Sequence, residues 1–142
     1  METPIAGYGW FIKRIDNALA KEANSNLQAL NLTMQQNRLL IQLALAETHT
    51  LSLKTLEERF GAAQSTVAGL VSRLEKKGLI QALSDPADRR VKLVRLTEEG
   101  ERLNAISRQK VVESEARLTA LLTEEEKEQL LTCLRKVYEA VK

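Results

Sequence analysis

The sequence predicts a mainly α-helical chain with one small β hairpin. Three observations carry that expectation. Aromatic residues make up only 4% of the 142 residues, while Leu, Ala, Glu, Lys and Gln, which lose least on entering a helix, are plentiful. Apolar residues recur at three- and four-residue steps through most of the chain, which is the period of one helix face. That pattern gives way between Leu79 and Leu96, where two short apolar runs flank a charged turn. The length is that of one domain with a single core, with room for an extension rather than a second core.

Charge and cysteine content narrow the classes further. The net charge of +2 hides an uneven distribution. Residues 61–97 hold Arg73, Lys76, Lys77, Arg89, Arg90, Lys92 and Arg95 against Glu75, Asp85 and Asp88, whereas the segments on either side are balanced or acidic. A positive field in the middle third is compatible with a polyanionic partner. One cysteine, Cys133, excludes an internal disulfide framework, and the single His49 leaves no cluster of metal ligands. Cys133 itself is expected to be a buried small hydrophobe, and His49 a structural or incidental residue. The run Ile5 to Ile12 is too short and too broken by glycine for a signal peptide, and no run of eighteen apolar residues exists. The expected compartment is the cytoplasm, with no membrane and no cofactor.

The first helix is expected over Ile5 to Leu30, with Ile12, Ile15, Leu19, Ala23 and Leu27 along one face. Tyr8, Trp10 and Phe11 make its first turn unusually apolar. Such an arm either caps the local core or packs against a partner subunit. Thr33-Met34-Gln35-Gln36 reads as a capping box, with the threonine oxygen accepting from a free backbone N–H and the glutamine reaching back. It opens a second helix whose Leu39, Leu40, Leu43 and Ala44 form a face broad enough for burial. Ser52 can cap a short third helix with Leu53, Leu56 and Phe60 inward, closed by Gly61.

The link from Gly61 to Gln64 is the short glycine-bearing connection of a helix-turn-helix pair. In the helix that follows, Gln64 to Lys77, the residues Val67, Leu70, Val71 and Leu74 fall on one narrow stripe. Ser65, Ala68, Gly69, Ser72 and Lys76 point the other way, with Thr66 and Arg73 on a flank. Small or hydrogen-bonding side chains are what a helix needs to lie deep in a DNA major groove. Glycine in mid-helix costs about 1 kcal/mol relative to alanine, so either close approach or tight packing should account for Gly69.

Gly78 stops that helix. Leu79 to Leu83 and Val91 to Leu96 are the strands of the hairpin, and Asp85-Pro86-Ala87-Asp88-Arg89-Arg90 is its turn. Arginines at a hairpin tip suit the negative potential of a minor groove. Alternatively, Arg89 and Arg90 pair with Asp85 and Asp88 on the surface. Thr97-Glu98-Glu99 opens a long helix to about Leu122, with acids at the positive end of the helix dipole. Thr123-Glu124-Glu125-Glu126 is a second capping box. The last helix repeats Leu130, Leu134, Val137, Tyr138 and Val141 along one face, which calls for a partner, with helix one of another subunit the favoured one. The acidic run Glu124 to Glu128 is a solvated face.

The run L-E-K-K-G-L-I at Leu74 to Ile80 and D-P-A-D-R-R-V-K-L-V-R-L-T-E-E-G at Asp85 to Gly100 resemble the winged helix-turn-helix core of the MarR family of transcription regulators, and segment order and length match from end to end. The resemblance implies a DNA-binding lobe over residues 31–97 and a helical dimerisation region formed by residues 1–30 and 98–142. It also implies that Arg90 is a minor-groove finger oriented by Asp88, with Arg89 a backbone contact or second tip charge. Related sequences often carry arginine where this chain has Ala82.

On that basis the expected function is that of a homodimeric, sequence-specific regulator of double-stranded DNA, a repressor or, less often in such families, an activator, acting at a pseudopalindromic operator. Gln64, Ser65, Thr66, Ser72 and Arg73 would read bases, with Gly69 allowing close approach. Arg73, Lys76, Lys77, Arg89 and Arg90 would supply salt-dependent affinity. The resemblance further implies release by a small aromatic or phenolic effector bound between the dimer helices and the DNA lobe, near Tyr8, Trp10 and Arg14. The alternative is a winged-helix module that binds protein, distinguished by a flat response to salt. Nothing in the sequence assembles a catalytic constellation.

Overall fold

The computed structural model describes residues 6–142. Its elements run α1 (Tyr8–Ala29), α2 (Met34–Leu45), a 3-10 turn (Glu47–His49), β1 (Thr50–Ser52), α3 (Leu53–Phe60), α4 (Gln64–Lys76), β2 (Ile80–Ser84), β3 (Lys92–Leu96), α5 (Glu98–Leu118) and α6 (Glu124–Val141). The expected start of the first helix at Ile5 lies outside the described residues. By compactness the chain divides into Met1–Arg108 and Gln109–Lys142, with α5 running through the division.

In the first unit the helix boundaries follow the capping chemistry. At α2 the Thr33 hydroxyl accepts from the Gln36 N–H at 3.1 Å, and Gln36 Oε1 accepts from the Thr33 N–H at 3.2 Å. Ser52 Oγ accepts from the Thr55 N–H at 3.0 Å and starts α3. Gly61 ends α3 in the left-handed region at φ 58°. Gly78, at φ 76°, ends α4 with a Schellman pair of bonds, Gly78 N–H to Glu75 C=O at 2.9 Å and Leu79 N–H to Leu74 C=O at 3.1 Å. These stops fix where α4 ends and the wing begins.

The core beneath these elements is built from Leu39, Leu40 and Leu43 of α2, Leu56 of α3, the Val67, Leu70, Val71 and Leu74 stripe of α4, and Ile80, Val94 and Leu96 of the sheet. Phe60 is only half-buried at its edge. Leu27 is the sole residue of α1 that is buried within the chain, so the expected apolar face of that helix is covered only at its C-terminal end. Ile12 and Ile15 stay exposed.

The sheet has three strands rather than the two of a simple hairpin, in the order β1-β3-β2 and wholly antiparallel. Thr50, Leu51 and Ser52 pair with Arg95, Val94 and Leu93. The added strand ties the start of α3 to the wing and leaves β3 central. His49, expected to be structural or incidental, contacts Glu101 of α5 through Nδ1, and both Thr48 and His49 have left-handed backbones that turn the chain into β1.

At the start of α5, Thr97 Oγ1 accepts from the Gly100 N–H at 3.1 Å and donates to the Gly78 carbonyl at 2.7 Å. Gly100 is buried. A Cβ there would overlap the Leu79 carbonyl oxygen and lie 2.6 Å from Leu96 Cδ1, so only glycine lets α5 leave the sheet this closely.

The second unit is the end of α5, a turn, and α6. The capping box repeats the logic of α2, with Thr123 Oγ1 accepting from the Glu126 N–H at 3.1 Å and Glu126 Oε1 from the Thr123 N–H at 3.0 Å. No residue of α6 is buried in the single chain. Cys133, expected to be buried, is exposed. Among the described residues, no helix is long and apolar enough to cross a membrane.

Candidate nucleic-acid interface

The two-faced character of α4 governs the site. With Val67, Leu70, Val71 and Leu74 turned into the core, Gln64, Ser65, Thr66, Ala68, Ser72, Arg73 and Lys76 are exposed. No side chain caps the start of this helix, since its N-cap residue is Ala63. The helix therefore presents a polar, unbulky ridge with free donors at its leading end.

Gly69 lies on that ridge and is partly covered. An added Cβ would meet only the guanidinium of Arg73, at 3.5 to 3.8 Å, which is ordinary contact with the far end of a flexible side chain. Packing within the chain thus does not require glycine at this position. Close approach is the remaining account of the two that the sequence left open.

At the wing tip a chain of short-range hydrogen bonds shapes the D-P-A-D-R-R turn. The Asp85 N–H donates to the Val91 carbonyl and the Val91 N–H to the Asp88 carbonyl, each at 2.9 Å, while Asp85 Oδ1 accepts from the Ala87 N–H at 2.9 Å. Asp88 holds Arg90 three ways, through the Arg90 N–H, Nε and one terminal nitrogen, each at 3.1 Å. These bonds to the ionised form hold the Asp88 carboxyl below its ordinary range, the side-chain bond from Arg90 being the larger cause and its backbone bond the second. The Arg90 side chain is nonetheless 91% exposed, oriented but open to solvent. The surface pairing weighed for the two arginines is thus real for Arg90. Arg89 has no partner among the described residues. On the strands, Arg95 donates to Gln81 Oε1 at 3.1 Å across the β2–β3 pair.

One of the expected DNA-facing cations is already engaged. The Lys77 ammonium donates to the carbonyl of Asn31 and to Gln36 Oε1, the latter at 2.9 Å. Because it sits at the C-cap of α4, just past the exposed ridge, it ties that end of the helix to the α1–α2 junction. These bonds give it a positional role that the sequence did not show, while its side chain stays exposed. The backbone N–H of Ala82, the position where an arginine was missed, donates instead to Glu75 Oε2 at 2.8 Å.

Two clefts border the ridge. One, of about 410 Å³, opens between α2 and α4 and has Arg38, Phe60, Thr66 and Arg73 in its walls. Arg38 stacks on Phe60 at 4.4 Å from the ring centre, a contact that periodicity in the sequence cannot reveal. The other, of about 470 Å³, has walls from α3, Gln64 of α4 and Arg90 of the wing. Neither is walled by Tyr8, Trp10 or Arg14. Those three lie on the first turns of α1, where Arg14 sits 5.2 Å from the Trp10 ring centre and Tyr8 is 92% exposed. Phe11, which was not singled out as an effector residue, meets Trp10 edge-on at 5.0 Å.

Comparison with known proteins gives this geometry a context. Residues 32–92, the span from two residues before α2 to the first residue of β3, match the sequence model of the MarR family. The chain is 30% identical over 97 residues to the transcriptional regulator HosA of Escherichia coli O111:H-, covering 68% of this chain and 72% of HosA. It is 37% identical over 86 residues to the HTH-type transcriptional regulator FarR of Neisseria gonorrhoeae, covering 61% of this chain and 58% of FarR. The chain thus spans little more than half of that relative. Among solved structures, an S. aureus MepR–DNA complex superposes with a TM-score of 0.84 and 27% identity, covering 95% of this chain and 100% of that one.

Proposed function

The chain belongs to the MarR family of winged helix-turn-helix transcription regulators, a family of regulators and not of enzymes, and from that premise we propose that it binds double-stranded DNA as a homodimer. In this reading α4 enters the major groove with Gln64, Ser65, Thr66, Ser72 and Arg73 towards the bases. Arg90 enters the adjacent minor groove, and Lys76 and Arg89 contact phosphates. The observation that carries the reading is the wing tip: a guanidinium held by two bonds to Asp88, with its backbone N–H held by a third, yet almost wholly exposed, is prepared for an external acceptor.

Dimerisation would use residues 1–30 and 98–142. Support comes from the apolar side chains that the single chain leaves open, including Trp10, Phe11, Ile12 and Ile15 on α1 and Leu131, Leu134, Val137 and Tyr138 on α6. Two-fold symmetry then spaces two copies of α4 about one turn of DNA apart, roughly 34 Å, and demands a pseudopalindromic operator. As a repressor, the dimer would be released by a small aromatic or phenolic effector near Tyr8, Trp10 and Arg14 that binds one spacing of the recognition helices better than the other.

The test is a gel-shift titration against a duplex selected from a random pool, with and without aromatic acids. Arg90→Ala should weaken binding at least tenfold, the loss of one buried charge-assisted contact of about 1.4 kcal/mol or more, while sedimentation still reports a dimer. Unchanged affinity would sink the wing assignment.

A further inference from the structure

The cleft of about 470 Å³ is walled by three separate elements. Ser52, Leu53, Lys54 and Glu57 come from the start of α3, Gln64 from the start of α4, and Arg90 and Lys92 from the wing. Lys54 and Lys92 are exposed and have no ion-pair partner among the described residues. Neither was singled out as a binding residue from the sequence.

We propose that this cleft seats the sugar–phosphate backbone of one DNA strand, with Lys54 and Lys92 as its phosphate ligands. The inference rests on the DNA reading above and follows from topology. In a duplex the major and minor grooves are separated by a single backbone. If the α4 ridge occupies the major groove and Arg90 the minor groove, the strand between the grooves must pass between Gln64 and Arg90, and both residues line this one cleft. The charges fit that occupant. Three cations from two elements face the opening, and a phosphodiester has acceptor oxygens and no donors, so ammonium groups on both walls can hold it from two sides. The paired strands β1 and β3 join the α3 wall to the wing wall, which sets the width of the cleft independently of DNA.

Glu57 supplies a counter-check. Glu57 lines the same cleft, its negative charge repels a phosphate, and no ion pair neutralises it among the described residues. It therefore weakens seating and makes the occupied position depend on both lysines.

Fluorescence anisotropy of the full chain tests the proposal, using a pool-selected duplex and a scrambled duplex across about 50 to 200 mM salt. Lys54→Gln with Lys92→Gln should weaken both duplexes alike and lower the log–log salt slope by about 2, at roughly 0.9 per phosphate contact. The affinity change across that salt range should then shrink by roughly tenfold. Glu57→Gln should tighten both duplexes, a gain that misfolding cannot mimic. A double variant that keeps the wild-type slope, or loses only the selected duplex, overturns the seat while leaving DNA binding standing. A wild type that binds neither duplex overturns the DNA reading and the seat with it.

Discussion

Helices α4 and α6 are written with nearly the same apolar period, and the chain treats them in opposite ways. Val67, Leu70, Val71 and Leu74 of α4 are buried against α2, α3 and the sheet, whereas no residue of α6 is buried and its Leu134 remains 44% exposed. An amphipathic stripe predicts that a face will be covered and not by what. For α4 the cover comes from the same chain, so the opposite ridge can be held rigidly for recognition. For α6 it has to come from elsewhere, which is what a second copy supplies in the proposed dimer.

Breaking the α4 side of that contrast should have the largest effect. Leu74→Ala empties a fully buried site and should cost about 2–5 kcal/mol of stability, read as a fall in the urea midpoint that is the same at high and low protein concentration. The equivalent change on α6, Leu134→Ala, should act differently. It should cost the dimer about 1.5–3 kcal/mol per buried side chain, seen by sedimentation as a higher dissociation constant and in urea melts only where dilution matters. If Leu134→Ala proves as concentration-independent as Leu74→Ala, α6 is not an interface helix.

What could be read from the sequence follows the range of the interactions. The starts of α2, α3 and α6 were legible because Thr33 with Gln36, Ser52 with Thr55, and Thr123 with Glu126 are three residues apart. The brace of Arg90 by Asp88, two residues away, was implied by the resemblance of the wing motif and not by the spacing itself. β1 was not, because three residues make no period and the strand exists only through pairing with distant β3. The charge of Lys77 beside Arg73 and Lys76 was visible, while its bonds to Asn31 and Gln36 across the fold were not. The same holds for Gly100 under the Leu79 carbonyl and for His49 beside Glu101.

A smaller effect, opposite in sign for fold and function, would sharpen the account of the α4 ridge. Gly69→Ala meets only Arg73 within the chain, so it should stabilise the fold by up to about 1 kcal/mol through helix propensity. If the ridge approaches DNA closely, the same methyl group should weaken operator binding. A variant that gains stability and loses no affinity would show that Gly69 is not a contact point, and would move base reading towards Thr66 and Arg73.

The smallest expected change concerns the wing, which is held by hydrogen bonds where α4 is held by apolar burial. Arg90 lowers the Asp88 carboxyl first through its side chain and then through its backbone N–H. A carboxyl depressed in the folded state contributes stability that is complete above its unfolded value, and that is lost as pH falls through the lower folded value. The brace should therefore be intact at neutral pH and through the ordinary aspartate range, and open only below it. Because the pair is exposed, this should scarcely move global stability. A carboxyl NMR titration should find the Asp88 midpoint below the ordinary value in the wild type and returned towards it in Arg90→Ala. Equal midpoints in the two proteins would mean that Asp88 does not hold the finger, and that the wing, unlike α4, acquires its order only on binding.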